Sequence, residues 1–148
     1  MMCKTNVQKM LSRILCMVLI AALALFAAGC GKKAAETVDG TAVYSDGDKI
    51  GEGDKQFTLI VADKDGGEIT LEIHTDADTV GAALQENQVI AGEDSEYGLY
   101  IKTVYGITAD YDADGVYWAF YIDGAYAMTA VDGTEITDGS VYALRVEK

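Results

Sequence analysis

The stretch FTLIVADKDGGEITLEIH, residues 57–74, decides the fold. Phe57, Leu59 and Val61 alternate with Thr58 and Ile60, and Ile69, Leu71 and Ile73 alternate with Glu68, Thr70, Glu72 and His74. A period of two puts alternate residues on opposite faces of a strand. Between the runs sits Asp65-Gly66-Gly67, the chemistry of a tight turn. The stretch is therefore predicted to be a β-hairpin.

Downstream the period changes. Val80, Ala83 and Leu84 share one helical face, with Asp78 or Thr79 placed to cap it, which predicts one short helix over 79–88. Strand patterns then return at Leu99–Val104, with a turn near Tyr105-Gly106 and a short return at Ile107–Ala109. Tyr117–Ile122 is wholly aromatic or apolar, and Asp123-Gly124 turns it into Ala125–Met128. Val141–Val146 follows Asp138-Gly139, with Tyr142, Leu144 and Val146 on one face. Hairpin, helix and further short strands make an α+β domain: a small mixed sheet with one short helix, β-grasp-like.

Upstream, residues 31–55 are rich in Gly, Lys, Asp, Ala and Glu. Their only large apolar groups are Val43, Tyr44 and Ile50. That composition predicts a flexible tether, spanning roughly 25–30 Å; the alternative is that part of it adds an edge strand. Further upstream, Lys4, Lys9 and Arg13 precede the apolar run Ile14–Ala28, the layout of a secretory signal and too short for a confident membrane span. Ala27-Ala28-Gly29-Cys30 resembles the bacterial lipobox, in which the cysteine is lipidated and everything before it removed. The expected organisation is a signal peptide at 1–29, a lipid-anchored linker at 30–55 and a folded domain at 56–148. Cys30 is the expected lipidation site, holding the protein on the extracellular side of the bacterial cytoplasmic membrane.

Charge narrows the function. The chain carries 24 acidic and 11 basic residues, net −13. Residues 30–148 keep all 24 acids against eight bases, net −16. This argues against nucleic-acid binding, which needs a basic face. Cys3 and Cys16 leave with the signal, so no disulfide or cysteine metal site remains. His74, the single histidine, continues the outward face of its strand. No G-x-S-x-G, P-loop or G-x-G-x-x-G occurs. The chain is expected not to be an enzyme.

Two stretches carry binding chemistry. Asp110, Asp112, Asp114 and Gly115 match the opening of a calcium loop, which wants oxygens at alternate positions and a glycine for the turn. The twelfth position is Tyr121 rather than a bidentate Glu, and a strand follows where a helix belongs. An acidic turn between strands and a weak Ca²⁺ site are the two readings. The second stretch is aromatic: Tyr117, Trp118, Phe120, Tyr121 and Tyr126 fall within ten residues. In a strand, Trp118, Phe120 and Ile122 share one face, and Tyr117, Ala119 and Tyr121 the other. One face packs on the core, and an exposed aromatic face marks a binding surface.

A spaced series of residues is recognisable. Gly98-Leu99-Tyr100-Ile101, Val104-Tyr105-Gly106-Ile107-Thr108-Ala109, Tyr117-Trp118, Gly124, Asp138-Gly139 and Leu144-Arg145-Val146 resemble the C-terminal β-domain of transcobalamin and intrinsic factor. In bacteria the same pattern resembles the domain family DUF4430. The resemblance covers about Phe57 to Glu147. It implies cobalamin or corrinoid binding, with Tyr117, Trp118 and Ala119 at the ligand contact. It also implies a partner, since the corrinoid of transcobalamin lies between a helical barrel and this domain. Such a barrel is lacking here, so a helical corrinoid-binding protein or a transporter would supply the other half. Thr103 and Thr108 stand where the resemblance implies a cysteine pair in vertebrate relatives. The alternative function is a surface adhesion or scaffold domain that binds protein or glycan through an exposed aromatic sheet.

Overall fold

The computed structural model describes residues 37–148; the signal segment, Cys30 and the first residues of the predicted tether lie outside the described residues. The described residues belong to one unit with its own core. Three short strands open it: β1 (Thr37–Val38), β2 (Thr41–Ala42) and β3 (Lys49–Glu52). The hairpin follows as β4 (Lys55–Ala62) and β5 (Glu68–Thr75), paired from Lys55↔Thr75 to Ala62↔Glu68. The Asp63 carboxylate closes its turn by accepting the N–H groups of Asp65 and Gly67, both at 2.8 Å.

The helix is α1 (Val80–Glu86). Thr79 caps it, its hydroxyl accepting the Ala82 N–H at 3.2 Å. Val80, Gly81, Ala83 and Leu84 form its buried face. Next come β6 (Ile90–Ser95), β7 (Gly98–Val104) and β8 (Ile107–Thr108), a small antiparallel sheet of its own. The single turn α2 (Tyr111–Asp114) leads to β9 (Tyr117–Ile122) and β10 (Ala125–Tyr126). A 3-10 turn at Val131–Gly133 precedes β11 (Val141–Glu147).

The main sheet has the order β10-β9-β11-β4-β5-β3. β11 lies parallel to β4 and antiparallel to β9. First hairpin strand beside last strand, with a helix between them in sequence, is the arrangement expected of a β-grasp-like α+β fold. One face of the sheet supplies Phe57, Leu59, Val61, Leu71, Ile73, Trp118, Phe120, Tyr142 and Leu144 to the core. Val80, Ala83 and Leu84 of α1, Val131 of the 3-10 turn and Leu99, Ile101 and Val104 of β7 belong to the same cluster. Tyr142 is central: it packs edge-on to Phe57, with ring centroids 5.2 Å apart, and stacks on Phe120 at 5.9 Å. Its buried hydroxyl accepts the Thr137 N–H at 3.0 Å.

The structure differs from the tether expected at 30–55. Thr41, Ala42 and Ile50 are buried, and β3 pairs parallel with β5 as the sheet's edge. The Thr41 hydroxyl accepts the Gly106 N–H at 2.6 Å, and the Ala42 N–H donates to the Gln88 carbonyl at 2.7 Å. These few apolar side chains suffice because they fill places beside a core the rest of the chain has built. Among the described residues no helix is long and apolar enough to cross a membrane.

Candidate binding site at the start of β9

Alternation along β9 divides the predicted ligand residues. Trp118 points to the core side, opposite Val146 of β11, and is 7% exposed. Its indole N–H is buried and has no acceptor in the protein, alone in this among the buried side-chain polar atoms of the described residues. Tyr117 lies on the outer face and is half-buried. Ala119 shares that face opposite Arg145 and is nearly fully covered. The structure thus brings Tyr117 and Ala119 to one face and sends Trp118 to the other.

Three tyrosines gather on the outer face. Tyr121 is paired with Tyr126 across β9 and β10, their rings edge to face at 5.5 Å. The Tyr121 hydroxyl donates to the Glu147 carboxylate. That contact holds the Tyr121 pKa above the usual phenol range, with desolvation adding to it. The Tyr126 hydroxyl does the same to Tyr117, again with desolvation second. Beside them runs an open groove of about 430 Å³, lined by Ile60, Tyr121, Gly124, Val141, Ala143 and Arg145.

The acidic stretch takes a different form from a calcium loop. Asp112 and Asp114 lie on α2, and the Asp110 carboxylate caps it by accepting the Asp112 N–H at 3.0 Å. Alternate residues on a helical turn stand about 200° apart, so the Asp112 carboxylate points away from that of Asp114. Among the described residues no three acidic, histidine or cysteine side chains are grouped to hold a metal. The strained position falls to Gly115, the left-handed C-cap at φ 68°. His74 faces outward as expected, its Nε2 2.8 Å from the Glu72 carboxylate, which Lys49 also engages at 2.9 Å. Those two partners, Lys49 first, pull the Glu72 pKa down.

Sequence reasoning named Tyr121 and Tyr126 within the aromatic run but not as site residues, and it missed Ile60, Ala143, Arg145 and Glu147. These last come from β4 and β11, and only the parallel pairing Ala143↔Ile60 and the antiparallel pairing Ala143↔Tyr121 place them beside β9. The one sequence signal was the alternation of β11, read for its core face alone.

The fold and site together define a β-grasp-like domain with an open, tyrosine-edged sheet face. The family model described as "Domain of unknown function (DUF4430)" matches residues 77–147. A solved structure from Ruminococcus gnavus ATCC 29149, described as a "putative metal binding protein", is 34% identical. The match covers 64% of this chain and 98% of that one, with a TM-score of 0.61. Haptocorrin in complex with Cbi is 17% identical, with a TM-score of 0.48, over 64% of this chain and 25% of haptocorrin. No curated protein matches. This chain belongs to the DUF4430 family.

Proposed function

We propose that this chain is a non-enzymatic binding module, anchored by lipid on Cys30 at the extracellular side of the cytoplasmic membrane, that presents the start of β9 to a corrinoid. The observation that carries the reading is Tyr117, half-buried on the outer face, in the residue pair for which the sequence resemblance implies ligand contact. Trp118, one residue away, faces the core with its indole N–H buried, so it reports on a ligand at Tyr117 through its emission rather than by contact. A domain that meets its ligand on one side only leaves much of that ligand in water, so a helical corrinoid-binding protein or a transporter completes the site.

The test is equilibrium dialysis of the soluble chain from residue 31 onward against cobalamin and cobinamide, with Trp118 emission followed in parallel. Saturable binding weaker than about 1 µM is expected of a one-sided site. No bound corrinoid at about 1 mM ligand sinks the reading. The anchor is tested separately: Cys30→Ser should abolish acyl-chain incorporation and release the protein from membranes. A second reading, an adhesion or scaffold domain for protein or glycan, is favoured by the exposure of Tyr126 and Val141 on the outer sheet face. Glycan-array or pull-down binding that survives Tyr117→Ala but not Tyr126→Ala would support it.

A further inference from the structure

We propose that the outer face of the six-stranded sheet is a contact surface between two copies of this chain. The elements α1, the 3-10 turn and β7 all contribute to the core on the sheet's other side. Among the described residues no element covers the outer face, whose centre is apolar. Ile60, Ala143 and Tyr121 stand in one row across β4, β11 and β9. Val141 and Arg145, on the same face of β11, are both more than a third exposed.

Charge argues for a second copy as the occupant. Residues 37–148 hold 23 acids and six bases. On the outer face of the strands lie three of those acids and two of the bases, and every acid has a partner. Glu68 meets Arg145 at 3.2 Å, Glu72 meets Lys49 at 2.9 Å and His74 at 2.8 Å, and Glu147 accepts from Tyr121. The rest of the surface is left with 20 acids and four lysines. Two copies approaching through any other face set carboxylate against carboxylate, and like charges juxtaposed are costly. Through this face each presents nearly balanced charge, three acids against two bases, around an apolar centre. A two-fold axis there sets the same patch against itself, as an isologous contact requires, and brings Arg145 of each protomer within reach of the other's acids.

The size is adequate. Strands of 4, 8, 8, 6, 2 and 7 residues, at about 4.8 Å spacing and about 3.3 Å rise over each residue, present a face of roughly 550 Å². That is of the same order as the ~800 Å² per partner of a standard interface.

Sedimentation equilibrium on the soluble chain from residue 31 onward, which contains the whole unit and its core, tests the proposal. A concentration-dependent monomer–dimer equilibrium is expected. Ile60→Arg should weaken it by about tenfold or more. Arg145→Glu should weaken it too, most strongly at low salt, because it breaks the charge balance of the face. Near-ultraviolet circular dichroism checks that each variant keeps its fold, and Arg145→Glu, at an exposed position, keeps the test decisive if Ile60→Arg does not. A monomer at every concentration up to about 1 mM overturns the proposal. So does a dimer that both variants leave unchanged, or a different macromolecule bound on this face by a monomeric chain. Because the readout is mass and uses no corrinoid, its failure is distinguishable from a failure of ligand binding, and the two would compete where they share the outer face near Tyr117.

Discussion

At position 118 an indole ring is set into the core while its neighbour at 117 stays within reach of solvent, and mutation should separate the two environments. Trp118→Ala is expected to cost roughly 3–5 kcal/mol in urea denaturation, from lost burial and the cavity left behind. Tyr117→Ala should cost under about 1 kcal/mol, as for a surface position outside the core. Equal losses would mean that the alternation along β9 does not govern its packing. Trp118→Phe should cost less than Trp118→Ala, since it keeps a ring and deletes the unpaired donor. The tyrosines offer a pH test. Glu147 beside Tyr121, and Tyr126 beside Tyr117, favour the protonated phenols, so the folded-state pKa values lie above the unfolded ones. Their stabilisation is complete below the unfolded tyrosine value of about 10 and is lost as pH rises through the folded values. An absorbance titration of tyrosinate should show a late-ionising fraction that shrinks in Tyr121→Phe. A Tyr121→Phe titration identical to wild type would remove Glu147 as the cause.

Among the elements, β3 makes the sharpest test because nothing in its composition announces it. Gly51 sits at φ 78°, and a Cβ there would lie 2.1 Å from the His74 carbonyl oxygen. Gly51→Ala should therefore destabilise by more than about 1 kcal/mol, through both backbone conformation and overlap with a fixed main-chain atom. A neutral result in thermal denaturation would detach β3 from the sheet. The contrast with the hairpin shows what a sequence can announce. β4 and β5 were legible because each carries three or more alternations, and burial of one face enforces that pattern. β9 was legible as an unbroken aromatic run, and α1 by its 3.6-residue spacing and its Thr79 cap. β3 has one buried residue, Ile50, and its pairing is dictated by β5, far along the chain. β6 hid for another reason: Gly92, Glu93, Asp94 and Ser95 are all exposed, and the strand is held by its partner β7. The site was legible only on its own strand. Thr103 and Thr108, picked out by resemblance alone, do face each other across β7 and β8, their hydroxyls 3.0 Å apart.

For the whole molecule the acid surplus has a constructive side. Asp46, Asp76, Asp123, Asp132 and Asp138 each accept a main-chain N–H from another part of the chain, at 2.7–3.0 Å. These carboxylates fasten loops to strands, while the remainder repel one another. Raising sodium chloride from about 10 mM to 500 mM should therefore raise the melting temperature, because screening weakens repulsion within the acid surplus more than it weakens the few surface ion pairs. A fall on adding salt would show that the ion pairs dominate.

The place of β11 has a consequence for how the chain is made. It is inserted between β4 and β9, yet it follows every other strand of that sheet in sequence. Until residue 147 has left the ribosome the sheet is two halves with a gap down the middle, and Tyr142, the aromatic that joins Phe57 to Phe120, is missing from the core. Strands from opposite ends of the domain must meet before either gains much, which is a slow, late closure. During synthesis the polypeptide therefore stays open down its middle, and the core is sealed only once the last strand of the sheet is delivered.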